Sequence, residues 1–259
     1  MDLVIQEYVM QEKIRQLKEE GYLLIRDFFP KNKINDIREK SELVFKIQFE
    51  RFGYKDDYKT NKIRLFNEHP NVFINCGKII QQGLIELYSL SVDDKLIGEL
   101  KSLGLEFPNL CTRPVLFFNH PRLAKEERYY KTPLHQDWPS MKSSSDSLVV
   151  WVPLVDVTKD LGPVILYPGT HTLGDISDST SGGFATIENY DLSKYNQIQP
   201  EVNAGDVVIF STFLVHKSGD IINDEIRWSC HLRYTNMMDK DFIGRDFPNP
   251  YVYKPEIQK

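Results

Sequence analysis

The feature of this sequence that most restricts its fold is a change of texture after Gly104. Short segments rich in β-branched and aromatic residues run from Arg113 to Phe118, Ser147 to Val157, Val164 to Tyr167, Val207 to Phe210 and Trp228 to Tyr234. Pro163, Pro168-Gly169 and Ala204-Gly205-Asp206 punctuate them. Such side chains fit a pleated, half-buried surface, and the Pro and Gly clusters fit turns. A parallel sheet would need a crossover helix between consecutive strands, and the spacing here leaves room for few. The segment therefore predicts an antiparallel sandwich or barrel.

The first hundred residues read differently. Val9, Met10, Ile14 and Leu17 recur at helical spacing until Gly21 supplies a stop. A short β-like run, Tyr22 to Ile25, follows. A second helix is expected from near Lys31, carrying Ile34, Ile37, Leu43, Val44 and Ile47, and a third and fourth between Pro70 and Leu103. Core packing accounts for all these apolar stripes. No linker or internal repeat interrupts the chain, so one domain is expected over residues 1–259: a mainly helical jacket over 1–105, a β core over 106–236 and a C-terminal tail over 237–259. The stretch from Gly174 to Gln199 is rich in Ser, Gly and Asp and reads as a long loop, either functional or disordered.

Composition limits the partners. With 32 basic and 37 acidic side chains the formal charge is −5, and there is no basic stripe of the kind nucleic acid requires. No run is apolar enough to span a bilayer, the first residues lack a signal-peptide core, and the ending PEIQK matches no retention signal. The three cysteines, Cys76, Cys111 and Cys230, have no CxxC spacing, which argues against a disulfide framework or a zinc ribbon. A cytoplasmic protein acting on a small molecule, without nucleic-acid or membrane partners, is the expectation. Oligomeric state leaves no mark in the sequence.

Within the β region stands Leu134-His135-Gln136-Asp137. On an extended strand, residues two apart share a face, so His135 and Asp137 are expected side by side. Alone, an HxD triplet is a weak signal, since a His hydrogen-bonded to a nearby acid gives the same pattern. A further imidazole, His216, follows the apolar run Val207 to Phe210. Two His and one carboxylate on one face of an octahedral ion select iron(II) for oxygen chemistry, with zinc or a redox-silent site as competitors. Arg227 lies eleven positions beyond His216 on the next candidate strand. A guanidinium there needs an anionic partner, and its shape suits a carboxylate.

At this point the sequence resembles the phytanoyl-CoA dioxygenase family of iron(II)/2-oxoglutarate oxygenases, whose relatives include ectoine hydroxylase. The likeness runs through Gly21-Tyr22-Leu23-Leu24-Ile25-Arg26-Asp27-Phe28-Phe29, His135-Gln136-Asp137 and Trp151-Val152-Pro153-Leu154-Val155-Asp156. It continues with Leu161-Gly162-Pro163-Val164, Tyr167-Pro168-Gly169-Thr170-His171, Ala204-Gly205-Asp206-Val207-Val208, His216-Lys217-Ser218 and Arg227. Leu161 stands where the family usually has Asn, and Thr170 where it has Ser. The resemblance implies a double-stranded β-helix core of jelly-roll or cupin type. It implies that His135, Asp137 and His216 hold Fe(II), and that Arg227, assisted by Ser218, binds the distal carboxylate of 2-oxoglutarate. Thr132 and Trp151 fall where relatives contact that cosubstrate. O2 would be the oxidant and succinate and CO2 the by-products. Asp137 points to hydroxylation of a small organic molecule, because halogenating relatives lack the carboxylate. Desaturation, cyclisation or epimerisation uses the same ligands, and a non-oxygenase cupin-like metal-binding or isomerising protein is the alternative outside that chemistry.

Four further residues are candidates for the substrate. His231 and Arg233 share the face of Arg227 at even spacing, with a satisfied strand histidine and a surface arginine as the plainer reading. Trp138 is a cavity wall or core filling, and His120 sits at the end of the first core strand. His171 belongs to a turn and His69 to a polar loop.

Overall fold

The computed structural model describes residues 3–127, 130–181 and 184–248. Its longest strand, β10 (Arg227–Asn236), lies inside the main sheet and pairs along both edges. On one edge it meets β4 (Leu148–Pro153), which pairs with β8 (Val207–Ser211), which pairs with β1 (Tyr22–Ile25). On the other it pairs first with β3 (Val115–Asn119) and then with β2 (Pro108–Leu110). Every pairing is antiparallel. Each anticipated β run is thus a strand, while β2, too short to show alternation, was not foreseen.

The faces of this sheet follow from the period of two along a strand. Leu148, Val150 and Val152 of β4, Val207 and Ile209 of β8, and Trp228, Cys230, Leu232 and Tyr234 of β10 pack into one apolar cluster with the helices. Val149, Trp151, Val208 and Phe210 face the other way, against Val164, Leu166 and Leu214. The second layer is built from β5 (Val164–Leu166) and β9 (His216–Ser218), with isolated bridges joining His135 to both His216 and Thr186 and Leu166 to Ile198. Two facing antiparallel layers with strands alternating between them make a double-stranded β-helix. The stretch expected to be one loop, from Gly174 to Gln199, contains the hairpin β6 (Ser179–Ser181) and β7 (Phe184–Thr186), whose last residue reaches His135.

β1 explains why an N-terminal motif belongs to the core. It adds to the edge of β8, and the turn after it is bolted to the turn before β8. Phe29 N–H donates to the Gly205 carbonyl at 2.8 Å, and Asp206 accepts from Asp27 N–H and from Arg26. Gly205 has φ +98°, and a Cβ there would lie 2.5 Å from the Phe29 carbonyl oxygen, so only glycine fits this junction.

The helices α1 (Leu3–Glu20), α2 (Lys31–Arg51), α4 (Pro70–Gly83), α5 (Ile85–Ser91) and α6 (Asp94–Ser102) cover the outer face. Between Pro70 and Leu103 there are three helices rather than the expected two, because Leu84 is extended and Asp93 caps a new start at Leu96 N–H. An unanticipated helix, α3 (Tyr58–Glu68), begins at Asp57, whose carboxylate accepts from Thr60 N–H. Two short helices complete the described chain, α7 (Trp138–Met141) and α8 (Lys240–Gly244), the latter within the expected tail, whose residues 249–259 lie outside the described ones. Cys76, Cys111 and Cys230 are buried and form no disulfide. Among the described residues no helix is long and apolar enough to cross a membrane.

One core position breaks the usual rule for charge. Lys62 of α3 is fully buried, and its Nζ has no hydrogen-bond partner. It lies 3.8 Å from the ring centroid of Phe118, 4.0 Å from that of Trp228 and 4.1 Å from that of Phe45. Cation–π attraction offsets part of the desolvation cost. Burial nevertheless pushes the ammonium well below its ordinary range. A lowered amine pKa means the unfolded chain binds the extra proton, so the penalty is largest at low pH and fades as pH rises to the ordinary lysine range. Lys62→Met should therefore stabilise the fold at neutral pH by about 1–3 kcal/mol, with the gain shrinking toward alkaline pH. Urea unfolding across that range measures it; a variant less stable at neutral pH would show that the aromatic cage outweighs desolvation.

Candidate metal centre

His135 and Asp137 come together by a route other than the one the HxD spacing predicts. The segment is not a regular strand. His135 makes a two-residue ladder with His216, its N–H donating to the His216 carbonyl and its carbonyl accepting from His216 N–H, both at 3.0 Å. Asp137 has turned into helical backbone (φ −78°, ψ −31°) at the start of α7. Its N–H and that of Trp138 both donate to the Thr212 carbonyl at 3.0 Å. Between them Gln136 is fully buried and points the other way. Its amide donates to the carbonyls of Phe213 and Gly174 and accepts from Ile176 N–H. These bonds pin the segment between the turn before β9 and the loop before β6, a role the sequence did not reveal.

The outcome is a cluster of three buried side chains, His135, Asp137 and His216, with one nitrogen or oxygen of each within 4.8 Å of the others. The imidazoles are fixed through Nδ1: that of His135 donates to the Pro133 carbonyl at 2.8 Å, and that of His216 to the Leu214 carbonyl at 2.9 Å. A carbonyl only accepts, so Nδ1 carries the proton in each ring and Nε2 keeps its lone pair. Burial holds both rings neutral; with the second imidazole beside it, His135 is pushed down to about 3. Asp137 behaves oppositely. Burial pushes its carboxyl up, but the Arg233 guanidinium beside it overcomes this and holds it well below the ordinary range. Its Oδ1 accepts from Arg233 Nε at 3.0 Å. Its Oδ2 is buried with no hydrogen-bond partner, 3.5 Å from His216 Nε2.

A carboxylate oxygen left bare beside two neutral imidazoles is costly unless a cation sits among them. Two neutral nitrogens and one anionic oxygen suit a divalent transition ion, and three ligands leave positions open. The donor set fits iron(II).

Arg227 enters the same cavity from the first residue of β10. It is buried, and one terminal nitrogen donates to the Gly162 carbonyl while the other donates to Ser218 Oγ at 3.3 Å. Its Nε has no partner. Burial alone lowers it to about 10, so it remains a cation at neutral pH, with no carboxylate among its hydrogen-bond partners. Gly162 has φ +67°, and a Cβ would meet the Gly219 carbonyl oxygen at 2.5 Å, which fixes glycine at this support. Thr132 N–H donates to Ser218 Oγ at 3.0 Å and joins Thr132 to the same corner. Together with His135, His216, Phe117, Asn119, Val164 and Trp151, these groups line a cavity of about 440 Å³ including its open mouth.

The other candidates divide. His231 and Arg233 line that cavity, and His231 packs edge-on against Phe117, with ring centroids 4.7 Å apart. Burial and the neighbouring Arg233 keep His231 neutral. Trp138 lies outside the lining; its ring stacks on Phe213 and its indole N–H donates to the Ser143 carbonyl. His120 also lies outside, capping the turn at Pro121–Leu123 through Nδ1 and meeting Asp224 through Nε2 at 3.1 Å. His171 hydrogen-bonds the Lys18 carbonyl, holding the Pro-Gly-Thr-His turn to the end of α1. Two buried hydroxyls that sequence reading passed over have no partner: Ser229, on the β10 face between Arg227 and His231, and Thr186, bridged to His135. The even spacing from Arg227 was the available signal for Ser229.

A family model described as phytanoyl-CoA dioxygenase matches residues 17–229. A probable phytanoyl-CoA dioxygenase of Caenorhabditis elegans is 26% identical over 249 residues, covering 87% of this chain and 75% of that protein. The 1-deoxypentalenic acid 11-beta-hydroxylase of Streptomyces exfoliatus is 26% identical over 140 residues, 50% of this chain and 46% of the relative. Among solved structures, the fold is similar to that of the epimerase SnoN in complex with Fe3+, alpha ketoglutarate and nogalamycin RO, with a TM-score of 0.63 at 15% identity over 98% of this chain and 94% of the other. It is also similar to EctD from S. alaskensis with 2-oxoglutarate and 5-hydroxyectoine, with a TM-score of 0.58 at 14% identity over 88% of this chain and 76% of that one. The match over residues 17–229 spans both layers of the sheet and all three residues of the cluster, and by it the chain belongs to the phytanoyl-CoA dioxygenase family of iron(II)/2-oxoglutarate oxygenases.

Proposed function

We propose that the protein is an iron(II)- and 2-oxoglutarate-dependent hydroxylase of a small organic molecule, with His135, Asp137 and His216 as the iron ligands and Arg227 as the anchor of the keto acid. The observation that carries this reading is one cavity lined by the triad's imidazoles and by a buried guanidinium with no anionic partner among the described residues. When bound, the iron and keto acid supply oxidation by O2, with succinate and CO2 released. The chain's own residues supply the setting. Arg227 is shaped to pair with a carboxylate through two donors, and Ser218 and Thr132 hold it to that corner. Trp151 and Phe117 wall the cavity with apolar surface, which strengthens the attraction by excluding water. His231, neutral and half-buried, presents a polar edge without adding charge.

Hydroxylation is favoured over epimerisation or cyclisation by the 11-beta-hydroxylase relative, though the SnoN likeness keeps those outcomes in the test. The buried thiols, none in a disulfide, suit a reducing compartment, and we place the reaction in the cytoplasm.

Replacing any of His135, Asp137 or His216 with Ala should weaken anaerobic iron(II) binding by more than roughly 100-fold and abolish succinate release. Wild-type turnover in one of these variants would remove that residue from the ligand set. Arg227→Ala should leave iron binding nearly intact but weaken 2-oxoglutarate by roughly 30-fold or more, read from the charge-transfer absorption of the anaerobic iron complex. An unchanged titration would mean that the keto acid is anchored elsewhere. Across a panel of metabolites scored by stimulated succinate release, turnover under isotopically labelled dioxygen should place one labelled oxygen atom in the product. A product with no added oxygen would replace hydroxylation with one of the rearranging outcomes.

A further inference from the structure

The iron ligand Asp137 is held by a second buried charge, and the pairing is asymmetric. Oδ1 accepts from Arg233 Nε at 3.0 Å, whereas Oδ2 has no partner and faces His216 Nε2. Arg233 is itself buried and rigidly placed. β4 and β2 pair along the two edges of β10 beside it, with Val149 its direct cross-strand neighbour in β4, and its carbonyl accepts from Cys111 N–H at 2.9 Å. From the other side Asp137 is anchored through its N–H to Thr212. Neither partner is free to slide along the other.

We infer that Arg233 is a positioning residue that restricts Asp137 to one-oxygen coordination, keeping the remaining metal positions open for the keto acid and O2. The inference rests on the reading of the triad as an iron site. A carboxylate offers two oxygens, and a small buried site with spare metal positions lets both bind. Engaging Oδ1 with a guanidinium stabilises the arrangement in which Oδ2 alone is available. A chelating carboxylate would take a position that the keto acid needs, since 2-oxoglutarate itself uses two. Arg233 thereby acts on cosubstrate binding through Asp137, without touching the reacting atoms. Its place six residues beyond Arg227 on the same face of one strand means that β10 sets both ends of the keto-acid cavity.

The test compares wild type with Arg233→Met, which keeps the length and removes the donor, and Arg233→Lys, which keeps the charge with a shorter reach. Protein labelled with carbon-13 at aspartate carboxylates is loaded with zinc(II), and the metal-minus-apo infrared difference spectrum is recorded. A wide separation of the two carboxylate stretches marks one-oxygen binding, and a narrow one marks chelation. Wild type should give the wide separation and both variants a narrower one. In parallel, iron(II) affinity in the variants should stay within about threefold of wild type, while 2-oxoglutarate affinity of the iron complex falls by roughly 10–100-fold. A general loss of structure would lower both affinities together and the melting temperature with them. Where Arg233→Met fails to fold, Arg233→Lys carries the same comparison. An unchanged infrared separation in a folded variant overturns the inference. Wild type that binds zinc normally but shows no charge-transfer band with iron and 2-oxoglutarate overturns the oxygenase reading instead, leaving the infrared result to stand by itself.

Discussion

The structure depends on a strand that is buried on both faces yet apolar on only one. Along β10, Trp228, Cys230, Leu232 and Tyr234 enter the helix-side core, while Arg227, Ser229, His231 and Arg233 enter the space between the layers. Buried apolar side chains on both faces would give a plain sandwich of greater stability. Polar groups in those odd positions instead cost desolvation that only partners can offset. Arg233 finds one in Asp137, and among the described residues Arg227 finds a backbone carbonyl and a hydroxyl but no anion. A shortfall of negative charge is thus built into the middle of the fold, and under the proposed function the dianionic keto acid would fill it.

The second layer exists to bring the remaining groups to that strand. His216 sits on β9, His135 is tied to it by reciprocal backbone bonds, and Gln136 locks the intervening segment with its own amide. Because each imidazole is fixed through Nδ1 by a carbonyl of its own neighbourhood, the rings are oriented before any metal arrives. Preorganisation of this kind lowers the entropic cost of binding, at the expense of leaving Asp137 Oδ2 without a hydrogen-bond partner from the protein.

Much of this was legible in the sequence, and the failures have physical reasons. Strands β4, β5, β8 and β10 announced themselves through β-branched runs between turn residues, and β1 did so in four residues between Gly21 and Arg26-Asp27. Helix α3 hid because its exposed face is charged and its buried face includes a lysine and an asparagine. The pairing of His135 with Asp137 was foreseen on the wrong grounds: proximity comes from a bridge followed by a helical turn, not from an extended strand. Spacing reports which residues meet, but several backbone paths produce one spacing. The asymmetric hold of Arg233 on Asp137 was beyond reach, since it depends on the relative height of two elements 96 positions apart.

Charge links these parts into one thermodynamic unit. Two buried guanidinium groups and Lys217 line this cavity, the Asp137 carboxylate pairs with one of them, Arg233, and the imidazoles are neutral. A divalent ion added alone raises the positive excess, and its favourable contact with Asp137 is partly offset by repulsion from the two arginines at low effective dielectric. Under the proposed function a dianionic keto acid would reverse the balance by meeting Arg227 at one end and the metal at the other. Each ligand therefore raises the affinity of the other, and by linkage the enhancement is equal in both directions. Under the proposed function the uncompensated charge of Arg227 would be the source of that coupling, so the guanidinium paired only with a carbonyl and a hydroxyl is the one on which assembly of the site would depend.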